Sequence, residues 1–200
     1  MEQREAFVGV DIAPYWRVLP RDAFDDVSHR PAAMRTLRVE PGAGFGVGTH
    51  PTTQLCLLAL GAFHRAGVAL NSVLDFGAGS GILSVAAAVL GAEVDAVEID
   101  PLAIANAQVN AGLNRVHIAF MQSLAAPRLY DVVVANILAE VLLTFAGPLC
   151  ARVRGSGRLV LSGLVATDVP ALSTRFGALL APMRAQVYAR EEWRALVFSA

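Results

Sequence analysis

From residue 36 onward the apolar positions of this chain switch repeatedly between a period of two and a period near 3.6, and each switch marks a change of element. Thr36–Glu40 alternates as a strand does, and four glycines between Pro41 and Gly48 then make a loop. Thr49-His-Pro51-Thr-Thr53 predicts a hydroxyl cap with a proline in the first helical turn, and Gln54–Leu60 carries that helix towards Gly67. Ser72–Phe76 is a strand that opens into Gly77, Gly79 and Gly81, and an apolar helix follows from Ile82 to Leu90. Further strands are predicted over Glu93–Asp100, Val116–Met121, Tyr130–Ala135 and Gly157–Ser162. Helices are predicted between them over Leu102–Gly112, opened by Pro101, over Glu140 to about Val153, and over Val169–Leu180. Ala185–Ala189 and Trp193–Phe198 close the chain as a pair. Tyr130-Asp-Val-Val-Val-Ala135 is a β-branched run suited to burial on both faces of a parallel sheet. Strand and helix in this alternation specify an α/β protein, a doubly wound, mostly parallel seven-stranded sheet with a C-terminal antiparallel hairpin. Residues 1–36 are weakly periodic and punctuated by Pro14, Pro20 and Pro31, so an irregular N-terminal arm or a short strand is expected before a domain over residues 37–200.

Composition narrows the classes. Two hundred residues with 55% hydrophobic content suit one domain with a full core. The uncharged run Phe76–Ala92 holds four glycines and is shorter than the roughly 20 apolar residues of a membrane span, so no membrane association is expected. The amino terminus lacks an apolar signal core, which makes the cytoplasm the expected compartment. Cys56 and Cys150 have no metal-ligand spacing; they are expected to be buried small hydrophobes, and no metal is expected. A net charge of −1 without any basic run gives no electrostatic footprint for nucleic acid. All sixteen basic residues are arginine, which excludes a P-loop lysine, a Schiff-base lysine and a lysine general base.

The chemistry concentrates at predicted strand ends, where open α/β sheets bind ligands. Asp75-x-Gly77-x-Gly79-x-Gly81 joins a strand to a helix through a turn whose glycines admit positive φ and close approach of a ligand, and the helix start is expected to offer unpaired amides. A dinucleotide fingerprint would need its third glycine at position 82, where Ile82 stands, and the spacing present is instead that of S-adenosylmethionine (SAM) sites. Glu98 ends the next strand, seventeen residues after Gly81, close to the position at which an acid meets a nucleotide ribose. Its carboxylate could accept from both ribose hydroxyls. Asp100, just before Pro101, is read as a helix cap. Gln122 or Ser123, past the third strand, could meet the adenine edge. Asn136 closes the Val/Ala run; it could be a turn former, or its carbonyl could take an N–H from an incoming amine and aim the nitrogen lone pair at a methyl group.

The segments Gly46-Val-Gly48-Thr-His-Pro-Thr-Thr53, Leu74-Asp-Phe-Gly77-Ala-Gly-Ser-Gly81-Ile-Leu83, Glu98-Ile-Asp-Pro101 and Val134-Ala-Asn-Ile-Leu138 together resemble the PrmA family of bacterial ribosomal protein methyltransferases, from about residue 36 to the carboxyl terminus. The resemblance implies a Rossmann-like class I SAM-dependent methyltransferase fold, SAM as cofactor, and cofactor contacts from Thr53, Gly77, Glu98 and Asn136. Asp75, Gly79, Gly81 and Gln122 complete the expected cofactor set, and Asn136 is the expected catalytic residue. PrmA enzymes carry an amino-terminal domain that recognises the ribosomal protein, and some forty residues here are too few for one. The expected methyl acceptor is therefore an amine of a protein, peptide or small molecule, with the ribosomal protein possible but weakly modified. About 14% of an α-amine but only about 0.04% of a lysine is neutral at pH 7, which suits a site with no evident general base. A silent SAM- or nucleotide-binding scaffold is the alternative reading, and a nicotinamide oxidoreductase is disfavoured by Ile82.

Overall fold

A computed structural model describes residues 7–26, 28, 31, 34–124 and 127–200. Three short strands come first: β1 (Val10–Ile12), β2 (Trp16–Pro20) and β3 (Arg35–Val39), with β1 antiparallel and β3 parallel to β2. Then follow α1 (Pro51–Arg65), β4 (Ser72–Phe76), α2 (Ile82–Val89), β5 (Glu93–Val97), α3 (Pro101–Leu113), β6 (Ala119–Met121) and β7 (Tyr130–Asn136). The chain ends with α4 (Ala139–Thr144), α5 (Ala146–Cys150), β8 (Val153–Val165), α6 (Val169–Leu180), β9 (Arg184–Arg190) and β10 (Trp193–Ser199). Seven strands form the main sheet in the order β6-β5-β4-β7-β8-β10-β9. The first five are parallel, and β10 runs antiparallel to both β8 and β9. The predicted doubly wound sheet with its closing hairpin is the fold observed.

Alternation along the central strands sorts side chains into two cores. Val132 and Val134 of β7 join Val73 of β4 beneath α1 and α2, whereas Val133, Ala135 and Leu74 face Leu142, Leu149, Leu172 and Phe176 of α4, α5 and α6. Both faces of the sheet are thereby covered, which is why β7 reads as an unbroken apolar run. The chain leaves β4 outward through β5 and β6 and returns to β7 on the other side. The gap between the carboxyl ends of β4 and β7 is thus the point at which the winding reverses and a ligand crevice opens.

Several boundaries differ from the sequence reading, each for a local reason. The helix expected over 140–153 is two short ones meeting at Phe145. Pro148 has no N–H to donate to the carbonyl of Thr144 and its ring crowds that carbonyl, so one turn must end there. The strand expected from Val116 begins only at Ala119, because Val116 N first closes the end of α3 on Ala111 O. The cap of α1 is an imidazole in place of the expected hydroxyl: His50 Nδ1 accepts from Thr52 N at 3.3 Å. Asp100 does cap α3, accepting from Leu102 N at 2.9 Å. In the segment read as an arm, Ile12, Trp16 and Val18 are buried in the same core as β4 and β7, and the Trp16 indole donates to Leu57 O of α1 at 2.7 Å. Residues 10–12 and 16–20 are therefore strands of a small sheet that includes β3, so of the two readings of this segment strand holds here, across the boundary drawn at 36. Cys56 and Cys150 are free and buried. Among the described residues no helix is long and apolar enough to cross a membrane.

Candidate active site

At the carboxyl ends of β4, β5 and β7 lies a cleft of about 930 Å³. The turn after β4 forms its floor, the 43–46 stretch and the start of α1 one wall, and the β7–α4 connection the other. Gly77 and Gly79 line it, as do Thr53, Glu98, Gln122, Ser123 and Asn136.

The glycine turn is closed by the protein's own atoms. Gly77 N and Ala78 N donate to Val97 O, Gly79 N to Glu98 Oε2, Ser80 N to Phe45 O and Gly81 N to Ala78 O. The turn itself keeps no row of free amides for a pyrophosphate, which fits a ligand without phosphates. Gly79 has φ +54, and a Cβ there would stand 2.7 Å from Phe45 O, so the two glycine-rich segments touch backbone to backbone. Gly44 makes the reciprocal approach: its Cβ would lie 2.4 Å from Ser80 N.

Two residues expected to meet the cofactor sit behind the wall. Asp75 is 1% exposed and points from β4 into α2, where Oδ2 accepts from Ser84 Oγ at 2.6 Å. Its carboxylate serves the first turn of α2, a favourable place for negative charge, because strand alternation sends it to the side on which that helix packs. Burial is the main cause that pushes its pKa up to about 6, against the opposing pull of the Ser84 bonds, and the nearby Glu98 adds to the rise. Gly81 faces α3: with φ +76, a Cβ there would meet Ala107 Cβ at 2.8 Å, so this glycine permits helix packing and not ligand approach.

Glu98 stands where the sequence placed it, but not as a free carboxylate. Oε2 accepts from Gly79 N at 2.9 Å, and Oε1 accepts from Ile99 N at 2.8 Å and Asp100 N at 3.1 Å. Three of roughly four acceptor sites on a carboxylate are filled, so the group is held at the cleft edge with limited capacity left for a ligand. Asn136, the last residue of β7, directs Nδ2 to Thr53 Oγ1 at 3.5 Å, while its Oδ1 is buried and has no hydrogen-bond partner. An amide oxygen left unpaired beside a cleft costs on the order of 1–3 kcal/mol unless something donates to it.

Other cleft residues were not named as site residues from the sequence. Trp193, at the start of β10, meets the His50 ring edge-to-face with centroids 4.9 Å apart, and His50 meets Phe45 likewise at 5.3 Å. Phe45 and His50 stand five residues apart, and only the return of the closing hairpin brings Trp193 to them. Ile137, Leu138, Val141 and Phe145 give the opposite wall an apolar surface. Gly163 was legible in principle as a glycine inside a strand: it has φ +86, and a Cβ there would lie 2.5 Å from Ile137 O. Among the described residues no group of three or more His, Cys, Asp or Glu side chains could hold a metal ion.

Residues 12–200 match the family model described as ribosomal protein L11 methyltransferase (PrmA). A ribosomal protein L11 methyltransferase of Geobacter sulfurreducens is 40% identical over 194 residues, which are 94% of this chain and 59% of that protein. One of Thiobacillus denitrificans is 52% identical over 133 residues, 65% of this chain and 44% of that protein. The chain spans about half the length of the curated relatives it matches. Among solved structures, a ribosomal protein L11 methylase from Lactobacillus delbrueckii subsp. bulgaricus superimposes with a TM-score of 0.84 at 29% identity, covering 96% of this chain and 98% of that one. On the match of the family model to residues 12–200, with a glycine turn, an acid and an asparagine at the three expected strand ends, the chain belongs to the ribosomal protein L11 methyltransferase (PrmA) family.

Proposed function

We propose that the cleft binds S-adenosylmethionine and that the chain transfers its methyl group to an amine of a protein, with Asn136 as the catalytic residue. The observation that carries this reading is the buried, partnerless Oδ1 of Asn136 on the cleft wall. The residues present fit SAM: the floor takes a ligand without phosphates, Glu98 is fixed at the edge where a ribose would lie, and Gln122 and Ser123 line the far side for a base. When bound, SAM supplies an electrophilic methyl group on a positively charged sulfur.

The chain's own groups do the rest. Asn136 Oδ1 accepts an N–H of the incoming amine, which fixes the direction of the nitrogen lone pair, and orientation of this kind is worth several kcal/mol of barrier. Thr53 Oγ1, through its contact with Nδ2, fixes which way the amide is turned and leaves Oδ1 as the end without a partner. Neutral acceptors suit an amine that arrives without its extra proton. Phe45, Ile137 and Leu138 give the cleft an apolar surface around it. The relatives are named for ribosomal protein L11, and a solved chain of the same span carries that name too. An amine of that ribosomal protein is therefore the acceptor we propose, with a smaller amine or peptide as the alternative.

Incubation with methyl-labelled SAM and two acceptor pools, purified ribosomal protein L11 and a small-molecule and peptide extract, tests both levels. Label in the ribosomal protein that disappears on Asn136→Ala supports the proposal. Label only in the small pool replaces the acceptor, and label in neither pool, with SAM failing to stabilise the protein, removes the activity.

A further inference from the structure

Asn106 and Asn110 on α3 and Asn114 at its C-cap recur at every fourth position and so share one face of the helix. That face lies along the open edge of β3. Asn114 pairs with the backbone of Arg38 in both directions: Oδ1 accepts from Arg38 N at 2.8 Å, and Nδ2 donates to Arg38 O at 2.7 Å. One rung further, Asn110 Oδ1 accepts from Glu40 N at 2.7 Å and Asn106 Nδ2 donates to Glu40 O at 3.0 Å. The amides thus stand in for the neighbouring strand that β3 lacks, satisfying alternate residues as a ladder would.

Asn110 differs from the other two. It is 0% exposed, and its Nδ2 also donates to Ser80 O at 2.8 Å, in the glycine turn. Ser80 in turn donates its backbone N–H to Phe45 O and its hydroxyl to Gly46 O. One fully buried side chain therefore joins the residue that opens the 41–48 loop to the turn against which the tip of that loop rests. The missing Cβ of Gly42, which would stand 2.5 Å from Asn106, lets the loop leave β3 along the same helix.

We propose that Asn110 is a positioning residue for the cofactor cleft, holding the 41–48 loop and the glycine turn in the register that SAM needs. It touches no cleft atom, so it acts through Glu40 and Ser80. This rests on SAM being the ligand of the cleft. Asn114 makes the same kind of pairing with β3 but has no bond to the turn, which makes it the control.

The test is titration of S-adenosylhomocysteine, the demethylated product, into the wild-type chain and the variants Asn110→Ala, Asn110→Asp and Asn114→Ala, each with its melting temperature. Asn110→Asp keeps the acceptor for Glu40 N and loses the donor to Ser80 O. Both Asn110 variants should bind about tenfold more weakly, and Asn114→Ala within about twofold of wild type at a comparable loss of melting temperature; tenfold corresponds to about 1.4 kcal/mol. Equal weakening by Asn110→Ala and Asn114→Ala, or an Asn110→Asp variant that binds as wild type does, would overturn the proposal. Hydrogen exchange on the wild type decides if the variants do not fold: bound S-adenosylhomocysteine should slow exchange of the Glu40 amide, and an unchanged Glu40 amide would overturn it. Failure of the wild type to bind at all would instead count against SAM as the ligand.

Discussion

The two ends of the central sheet treat their polar groups in opposite ways. At the amino ends of β5, β7 and β4, every bond found closes a structural circuit. Asp95 accepts from Tyr130 Oη at 2.7 Å and from Arg128 at 2.9 Å, Arg128 also pairs with Glu93, and Asp131 accepts from the backbone of Asn71 and Ser72 while pairing with Arg154. At the carboxyl ends, Asn136 Oδ1 and Asp75 Oδ1 are buried without a partner, and Gln54 Oε1 on α1 and Asn106 Oδ1 on α3 share that condition nearby. Buried polar groups are ordinarily satisfied, so an accumulation of exceptions at one end marks stored cost rather than poor packing. One end of the sheet is closed by its own side chains, and the other keeps acceptors that folding leaves without donors, of which Asn136 Oδ1 belongs to a cleft residue.

Substitutions that respect this division should separate stability from binding. Gly79→Val should have the largest effect, because a Cβ 2.7 Å from Phe45 O at φ +54 must push the 41–48 loop off the turn. Calorimetry should find SAM affinity reduced by roughly a hundredfold or more, and affinity near wild type would show that the loop contact is not part of the site. Next comes Glu98→Ala, for which titration should show a loss of about 1.5–3 kcal/mol in SAM binding, the usual worth of a charge-assisted bond. Unchanged affinity there would remove Glu98 from the ligand set.

Asp75 gives a pH signature from the same end. Its folded pKa, about 6, lies above the ordinary value of 3.8, so between those pH values the folded state holds a proton that the unfolded state has released. Stability must then fall as pH rises through that window, and above it the buried charge costs on the order of 3 kcal/mol. Urea unfolding from pH 4 to 7 should show this decline in the wild type, and a flatter profile in Asp75→Asn. Parallel profiles for the two proteins would refute the assignment. The smallest effect belongs to the other end. Tyr130→Phe should cost about 1–2 kcal/mol of stability by removing the donor to Asp95, and methyl transfer per folded molecule should not change. A change in turnover would break the comparison.

Much of this was legible because its signals are local. A strand, a glycine at a positive φ and a helix are adjacent in sequence, so the turn at 77–81 and the strand-end positions of Glu98 and Asn136 could be read directly. Asp75 shows what a motif leaves out, since it names residues and not directions; the alternation Val73, Asp75 puts its carboxylate towards Ser84 of α2. The break at Phe145 was legible in Pro148 four residues beyond Thr144. What could not be read is what long-range packing creates. Trp193 meets His50 only because β10 inserts between β8 and β9, and the regular spacing of Asn106, Asn110 and Asn114 has no meaning until β3 is found beside it.

The central claim is that Asn136 orients the amine rather than merely holding the cofactor. Single-turnover methyl transfer and S-adenosylhomocysteine affinity, measured side by side for wild type and Asn136→Ala, separate the two. The account predicts a rate lower by about a hundredfold, the scale of one lost positioning contact at the reacting centre, with affinity changed only a few-fold. Equal losses in rate and affinity would contradict it and leave Asn136 as a cofactor ligand alone.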